Sequence, residues 1–546
     1  MFGLESHDAD RHPAARSTDA RVDLRAAALL VVAFVAAAWF VSLKRGPWID
    51  ELWSLWLTQS ELSFGDIMRQ RWLADFHPPL FSMLHWLAGP WIGDHLPSHR
   101  LINLLPLAWA ASFVAVAARR FPHKASLLCV FAITLLSFSG SLRYFAEMRS
   151  YFMQMCLLFV LTGAAVVIAE LSEDLDWHKD RAFATMLLAT IVVALNLHYF
   201  SSLLAGVLVS TLIVCCWFSG KRRWARALAS ALAFGCLALL AFLWVHLQFL
   251  SHESTAFWVD ATLAQAIVVI GRSVASAAEA NPLVLGVAAA VLLASIAVVV
   301  RRPVAAGSRA IFDADFLGRL QLTRERRRSI GLLGFSLAVF SVALLLVHLR
   351  QPIVFHRYLL SFQVVVVGLV ACLAAEAVAS RRLLLMLVAA VAFVSVAQHG
   401  AKAQGERRWD ATARFVSDLR ATCPSSPVVA ARLPGHWQTV NIAAVAEWGY
   451  RWEAQRFGFD VTYVRLGVDP LPIAPGACPT LLWIEHLTWN SRLPRNATPE
   501  TALRVLGIDT SRIEMANALF IAGETGFVMR LPAKAGSPAT EPRTQS

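Results

Sequence analysis

The chain has 546 residues, is 57% hydrophobic and 16% charged, and carries a formal net charge of +12 with a mean hydropathy of +0.56. Soluble globular chains average roughly 45–50% apolar and about 25% charged, so this composition excludes a chain that is soluble throughout. The positive charge lies in short Arg/Lys segments between apolar blocks, which is the topology signal of a membrane protein and not the continuous stripe of a nucleic-acid binder. The apolar blocks run for about 18–22 residues, the length a helix needs to cross roughly 30 Å of hydrocarbon. They recur along most of the chain, which a single signal peptide does not explain.

In chain order, residues 1–24 are polar and read as a disordered cytoplasmic tail. The spacing then predicts spans at 25–43, 101–118, 125–142, 151–169, 183–200, 202–218, 227–247, 283–300, 330–348, 358–378 and 383–398, or about eleven helices. Alternate loops hold Arg119, Arg120 and Lys124; Lys179 and Arg181; Lys221, Arg222, Arg223 and Arg226; Arg301 through Arg328; and Arg381 with Arg382. The positive-inside bias puts these loops in the cytoplasm. Residues 261–278 are apolar enough to span, but crossing there would turn the Arg-rich 301–328 loop outward. They therefore read as an interfacial helix on the outer surface. The transmembrane part is 25–399, with a long first outer loop at 44–100. The tail at 400–546 is left outside as a small α/β domain, with helices expected at Trp409–Arg420 and Pro499–Leu506 and strands at Val428–Ala431, Leu481–Ile484 and Leu519–Ile521. The expected fold is thus a polytopic all-α membrane protein with outer interfacial helices and a C-terminal extracytoplasmic α/β domain.

Six of the eight cysteines (Cys129, Cys156, Cys215, Cys216, Cys236, Cys372) fall in apolar blocks and read as small core residues. Cys423 and Cys478, in the C-terminal domain, are either a disulfide or two buried thiols. No Cys/His spacing typical of zinc sites occurs, so no dedicated metal site is expected.

Polar groups collect on one side. Asp50 and Glu51 follow the first span; His77, Pro78, Pro79 and Leu80 close the first outer loop; Arg143 to Tyr151, including Glu147 and Arg149, joins the third and fourth spans. His198-Tyr199 caps the fifth, and His348, Arg350, His356, Arg357 and Tyr358 join the ninth and tenth. Singly, each has an ordinary reading: solvated carboxylates, a helix-starting proline pair, an interfacial ion pair of little worth, a helix-end histidine. Together they form a set of ionisable groups near membrane depth, where charges are costly and usually serve function. Arginines bind phosphate oxygens in pairs of hydrogen bonds, and a carboxylate can take the proton of an attacking hydroxyl. That combination suits transfer of a group from a phosphate carried by a membrane lipid.

In this order, Asp50-Glu51, His77-Pro78-Pro79-Leu80, Glu147-x-Arg149-x-Tyr151, His198-Tyr199 and Arg357-Tyr358, followed by a Trp409-containing helix, resemble a known family over about residues 25–420. It is that of the C-type membrane glycosyltransferases, in its protein-O-mannosyltransferase and aminoarabinose-transferase-like members. The nearest resemblance is to the bacterial lipopolysaccharide-core sugar transferase branch. The family often has Pro after the Arg of the second acidic motif, where this chain has Ser150.

The resemblance implies an inverting transfer of a sugar from a polyprenyl-phosphate donor to a glycan, lipid or protein acceptor. It implies a multi-pass protein of the bacterial cytoplasmic membrane, with its N-terminus cytoplasmic and its C-terminal domain periplasmic. Asp50 is then the general base, Glu51 its support, His77 a donor or acceptor contact, and Glu147, Arg149 and Tyr151 the orienting motif. Arg357, with Tyr358, is the candidate for the donor phosphate. His198, of the His198-Tyr199 motif, is a further substrate contact, and Arg350 and His356 are added as substrate contacts from charge. No cofactor is implied, although Asp50, Glu51, His77 and Glu147 have the chemistry to gather a divalent cation. A multi-pass secondary transporter is the alternative; such proteins place charges and broken helices near the bilayer midplane, whereas these groups lie at helix ends.

Overall fold

The computed structural model describes residues 13–75, 77–249, 261–301, 322–379, 382–405, 409–432, 440–465, 469, 472, 478–485 and 526–531. Nineteen α-helices are described: α1 Pro13–Lys44, α2 Ile49–Trp56, α3 Phe64–Gln70, α4 Leu80–Ile92, α5 Leu96–Leu101, α6 Leu104–Arg120, α7 Ala125–Ser137, α8 Ser139–Phe145, α9 Tyr151–Glu170, α10 Trp177–Leu195, α11 Tyr199–Phe218, α12 Arg222–Phe249, α13 Leu263–Ala278, α14 Pro282–Arg301, α15 Arg324–Arg350, α16 Leu360–Ala379, α17 Arg382–Gly405, α18 Trp409–Thr422 and α19 Val440–Arg456. Four strands accompany them: β1 Val428–Arg432, β2 Thr462–Arg465, β3 Thr480–Glu485 and β4 Gly526–Leu531. The chain is a polytopic helical membrane protein with one small sheet.

A helix occupies each of the eleven expected span positions, but they are not eleven equal spans. Among the described residues eight are long and apolar enough to cross a membrane unbroken, or ten if each of two bent pairs counts as one. The expected span 125–142 is one of those pairs. Its helix stops at Ser137, Phe138 turns extended, and Pro122–Ser137 meets α8 at 72°. Ser137, Ser139, Gly140 and Ser141 surround the break, and two of these hydroxyls bond carbonyls of the preceding helix (Ser137 Oγ to Ile133 O, Ser141 Oγ to Leu135 O), as helix kinks require. The other bent pair is α13 and α14, which meet at 100°; α13 is the segment expected to lie in the interface. Helix α10 carries Lys179, Asp180 and Arg181 in its first turns and is not among the eight. At the N-terminus, α1 begins at Pro13, inside the stretch expected to be a disordered tail.

The chain divides into two compact units. The first comprises 1–43, 60–251 and 259–403, and its centre is α9. Every residue of α9 is buried, enclosed by α6, α7, α8, α10, α11, α15 and α16. Small residues allow this closeness. A Cβ on Gly368 of α16 would stand 2.7 Å from Thr162 Cγ2, and one on Gly163 would stand 2.9 Å from Leu128 Cδ2. With no solvent-driven collapse inside a membrane, such backbone approach is how helices hold one another.

The second unit comprises 44–59, 252–258 and 404–546, so the first part of the long loop belongs with the C-terminal domain and the rest with the bundle. Its sheet has the order β2-β1-β3-β4, with β1 parallel to β2 and β3, and β3 antiparallel to β4. Helix α19 lies between β1 and β2 in the chain, as the crossover between parallel strands demands. The expected helix at 409–420 and strands at 428–431 and 481–484 are present as α18, β1 and β3. The expected helix Pro499–Leu506 and strand Leu519–Ile521 lie outside the described residues. Trp409, Tyr450 and Trp483 centre the core, with Tyr450 Oη donating to Ala431 O and accepting from Glu485 N. Cys423 and Cys478 form a disulfide with Cα atoms 5.8 Å apart, across a sequence separation of 55. Of the two readings the sequence left open, this is the first. Closing a loop of that length contributes about 4 kcal/mol in the chain-entropy account.

Candidate functional site

Three helices of the first unit begin at one place. Helix α9 starts at Tyr151, α11 at Tyr199, and α16 at Leu360 after the short 3-10 turn His356–Leu359. His198 stands at the meeting point. Its ring centroid is 4.9 Å from that of His77, 5.9 Å from Tyr358 and 6.2 Å from Tyr151. Tyr358 stacks on Phe200 at 4.9 Å, and the Arg149 guanidinium lies 5.7 Å from the Tyr151 ring. The structure thus brings together His77, Arg149, Tyr151, His198 and Tyr358, which come from four separated sequence segments. Arg357 is buried beside them in the chain, its guanidinium 5.2 Å from the Phe355 ring. Helix N-termini carry unsatisfied N–H groups and partial positive charge, so three of them with two arginines favour an anion.

The protonation of His198 follows from its bonds. It caps α11 by accepting from Phe200 N at Nδ1, 3.3 Å away. The neutral ring must then carry its proton on Nε2, a tautomer assigned from the hydrogen bonding. Burial, with the nearby His77 and Arg149, pushes its pKa well below the usual imidazole value, so the ring is neutral at pH 7. Nε2 is buried without a protein partner among the described residues, and so is the Tyr151 hydroxyl. Two buried donors left open side by side are expensive and mark a place for an oxygen-bearing ligand.

The Glu147 turn is held from below. Asn103 Nδ2 donates to Phe145 O and Glu147 O at 2.9 and 3.1 Å. The Glu147 carboxylate, itself buried, lies 3.5 Å from Arg143 Nε. Tyr144 meets Tyr151 edge-on at 5.2 Å. Ser150 does not disturb the start of α9; its hydroxyl accepts from Gln154 Nε2 at 2.9 Å.

Asp50 and Glu51 belong to the second unit. They occupy the first turn of α2, where carboxylates suit the helix dipole. This helix is fixed by Leu52, which packs against Gly449 and Trp409, and by the bond from Trp409 N to Pro47 O at 3.2 Å. A Cβ on Gly449 would stand 2.9 Å from Leu52 Cδ1, so the close approach needs glycine. Glu51 is fully buried while Asp50 is half-buried, which makes Asp50 the more accessible acid.

Of the remaining expected residues, Arg350 and His356 are exposed, and the His356 ring lies 4.2 Å from Phe355. His348, a member of the same polar stretch, has a structural part: its Nε2 donates to Ala261 O at 3.0 Å and its Nδ1 accepts from Ile353 N and Val354 N. Two residues that sequence reasoning missed join the cluster. Asp75 Oδ2 lies 3.3 Å from His77 Nδ1, and His246, on α12, bonds the Asp75 carbonyl. The signals were faint: an acid two positions before His77, and one histidine in an apolar helix. Among the described residues no group of three or more His, Cys, Asp or Glu side chains is arranged to hold a metal ion.

No protein-family model and no curated protein matches this chain. Two solved structures are similar to it, both of ArnT from Cupriavidus metallidurans, one bound to undecaprenyl phosphate and one in the apo state. They are 13% and 14% identical to it, each alignment covering 93% of this chain and 99% of the other at a TM-score of 0.48.

Proposed function

We propose that the protein is an inverting glycosyltransferase that moves a sugar from a polyprenyl-phosphate carrier to an acceptor hydroxyl at the outer face of the bacterial cytoplasmic membrane. The observation that carries this reading is the convergence of the α9, α11 and α16 N-termini on His198. With Arg149 and Arg357 they make an anion-favouring, donor-rich end in a bundle of apolar helices. A phosphate that reaches such a place is most simply one carried on a lipid.

In the reaction the acceptor oxygen attacks the anomeric carbon from the face opposite the phosphate. The bond from that carbon to the phosphate oxygen breaks, and its electron pair leaves with the polyprenyl phosphate. Asp50 takes the acceptor proton as general base, with Glu51 as its buried support. Arg357 binds the phosphate and stabilises the charge that grows on it. His77, Glu147, Arg149, Tyr151, His198 and Tyr358 contact or orient the donor, and the exposed Arg350 and His356 offer further substrate contacts. The acceptor is a surface glycan, a lipid or a protein. These steps call for no metal.

The test is sugar transfer in proteoliposomes, from a panel of radiolabelled polyprenyl-phosphate sugars to a membrane extract, comparing wild type with Asp50→Asn. Loss of a general base costs about 10²–10⁴-fold in rate, so label reaches an acceptor with wild type and not with the variant. Equal transfer by both keeps the reaction and moves the base to Glu51 or Glu147. No transfer from any donor by folded wild type rejects the reading and leaves the multi-pass transporter.

A further inference from the structure

The loop that carries His77 is tied to a helix far away in the sequence. His246 sits near the end of α12, 1% exposed. Its Nε2 lies 2.6 Å from the carbonyl oxygen of Asp75 and its Nδ1 lies 2.8 Å from the Tyr199 hydroxyl. A carbonyl can only accept, so Nε2 carries the proton; Nδ1 is then the acceptor for the Tyr199 O–H. Both ring nitrogens are thereby used, and the ring is fixed in one tautomer and one orientation. The partners are unusual for a histidine in an apolar helix: one belongs to a loop 171 positions earlier, and the other is the first residue of α11, beside His198.

The Asp75 carbonyl and carboxylate work in opposite directions. The carbonyl is held by His246, while the carboxylate Oδ2 lies 3.3 Å from His77 Nδ1. With the backbone of residue 75 clamped, the carboxylate has a fixed origin from which to orient the His77 ring, whose centroid is 4.9 Å from that of His198. The same His246 ring bonds Tyr199, so the His77 loop and the start of α11 are registered against one imidazole. Oriented side chains of this kind are needed because misplacement by about 1 Å costs on the order of 10²-fold in rate.

We propose that His246 is a positioning residue that, through the carbonyl and carboxylate of Asp75, fixes His77 against His198 in the transfer site. The proposal rests on reading His77 as a residue of that site. A loop merely plugged by His246 for stability would need no carboxylate on residue 75 and no defined orientation at His77.

The experiment is carbethoxylation of the full-length protein in detergent by diethyl pyrocarbonate at pH 7, with the rate at each histidine read by peptide mass spectrometry. His77 is 24% exposed in its side chain and can be reached by the reagent. His178, in the first turn of α10, serves as the exposed reference. His246→Leu and Asp75→Asn each raise the His77 rate about fivefold, as loss of one buried hydrogen bond implies, and leave His178 unchanged. The double variant is no faster than either single. His246→Gln, which keeps an N–H at nearly the same reach, stays within about twofold of wild type. Tyr199→Phe, which frees only Nδ1, shows a smaller rise in the same residue. An unchanged His77 rate in both His246→Leu and Tyr199→Phe overturns the proposal. So does a rise shared equally by His178, or additive effects of His246→Leu and Asp75→Asn. The labelling needs no substrate, so its failure is distinct from a failure of sugar transfer.

Discussion

The two ends of α9 hold buried polar groups in opposite ways. At its C-terminal end, Glu170 accepts from Lys124 Nζ at 2.7 Å and from Ser329 Oγ at 2.9 Å, with Arg326 Nε 3.3 Å away. Arg120 pairs with Asp180 at 2.6 Å, and Lys221 Nζ donates to Ile168 O in the last turn of α9 at 2.6 Å. At its N-terminal end, Tyr151 and His198 keep buried donors open. At the first end carboxylates and cations pair with one another, with Arg326 Nη1 alone of these groups left without a partner among the described residues, while at the second the open groups of Tyr151 and His198 are neutral donors beside helix N-termini. Polar atoms that satisfy one another hold a bundle together, and open ones in a rigid frame are held for something that arrives later.

The comparison can be broken most forcefully at Glu170. Removing one partner of a buried ion pair strands the others, at a cost of about 3–5 kcal/mol. Glu170→Gln is therefore expected to lower the denaturation midpoint sharply, while transfer per folded molecule stays at the wild-type level. A variant that folds normally and transfers poorly would erase the distinction between the ends. Next in size is Arg357→Lys. A lysine keeps the charge and loses the planar fork, so kcat/KM for the lipid-linked donor falls about 10–100-fold, with the midpoint unmoved. A loss of stability without loss of turnover would move Arg357 into the structural class.

The smallest effect is a pH dependence. Burial holds the pKa of His198 below its unfolded value, and burial beside His99 does the same for His85. The unfolded chain therefore takes up protons that the folded one refuses. Stability is whole above about pH 6.5 and falls as pH drops below it. His198→Asn keeps a helix-capping side chain and should flatten part of that acid slope, measured as midpoint against pH between about 6.5 and 4.5. An identical slope in the variant would mean that the ring is charged in the folded protein.

Much of this was legible in the chain, and the failures have physical causes. Hydropathy located a helix at each expected span, because burial in hydrocarbon is a property of each segment alone. It could not tell that the third would break at Phe138, which depends on serine hydroxyls bonding backward, nor that α10 keeps charges in its first turns. For the site, the motifs at 77, 147–151, 198 and 357–358 were found as helix-end polar groups, and the fold gathers most of them. Arg350 and His356 were chosen by charge, and charge alone does not distinguish a buried position from an exposed one. Asp75 and His246 escaped because their link is a side chain to a carbonyl across 171 positions, which no local pattern encodes. In the second unit α19, β2 and β4 went unread; short strands of mixed polarity carry little period-two signal.

The enclosure of α9 has a consequence for how the protein is made. Its sequence is apolar enough to enter a bilayer on its own, yet in the finished bundle it has no side turned outward. Helices α15 and α16, which cover much of it, are synthesised long afterwards. Until they arrive, the face of α9 that carries Thr162 must meet acyl chains, and maturation consists of exchanging those lipids for Gly368 and its neighbours. A nascent chain halted before α16 would carry all of α9 and an unfinished groove, the kind of intermediate that membrane quality control is built to notice.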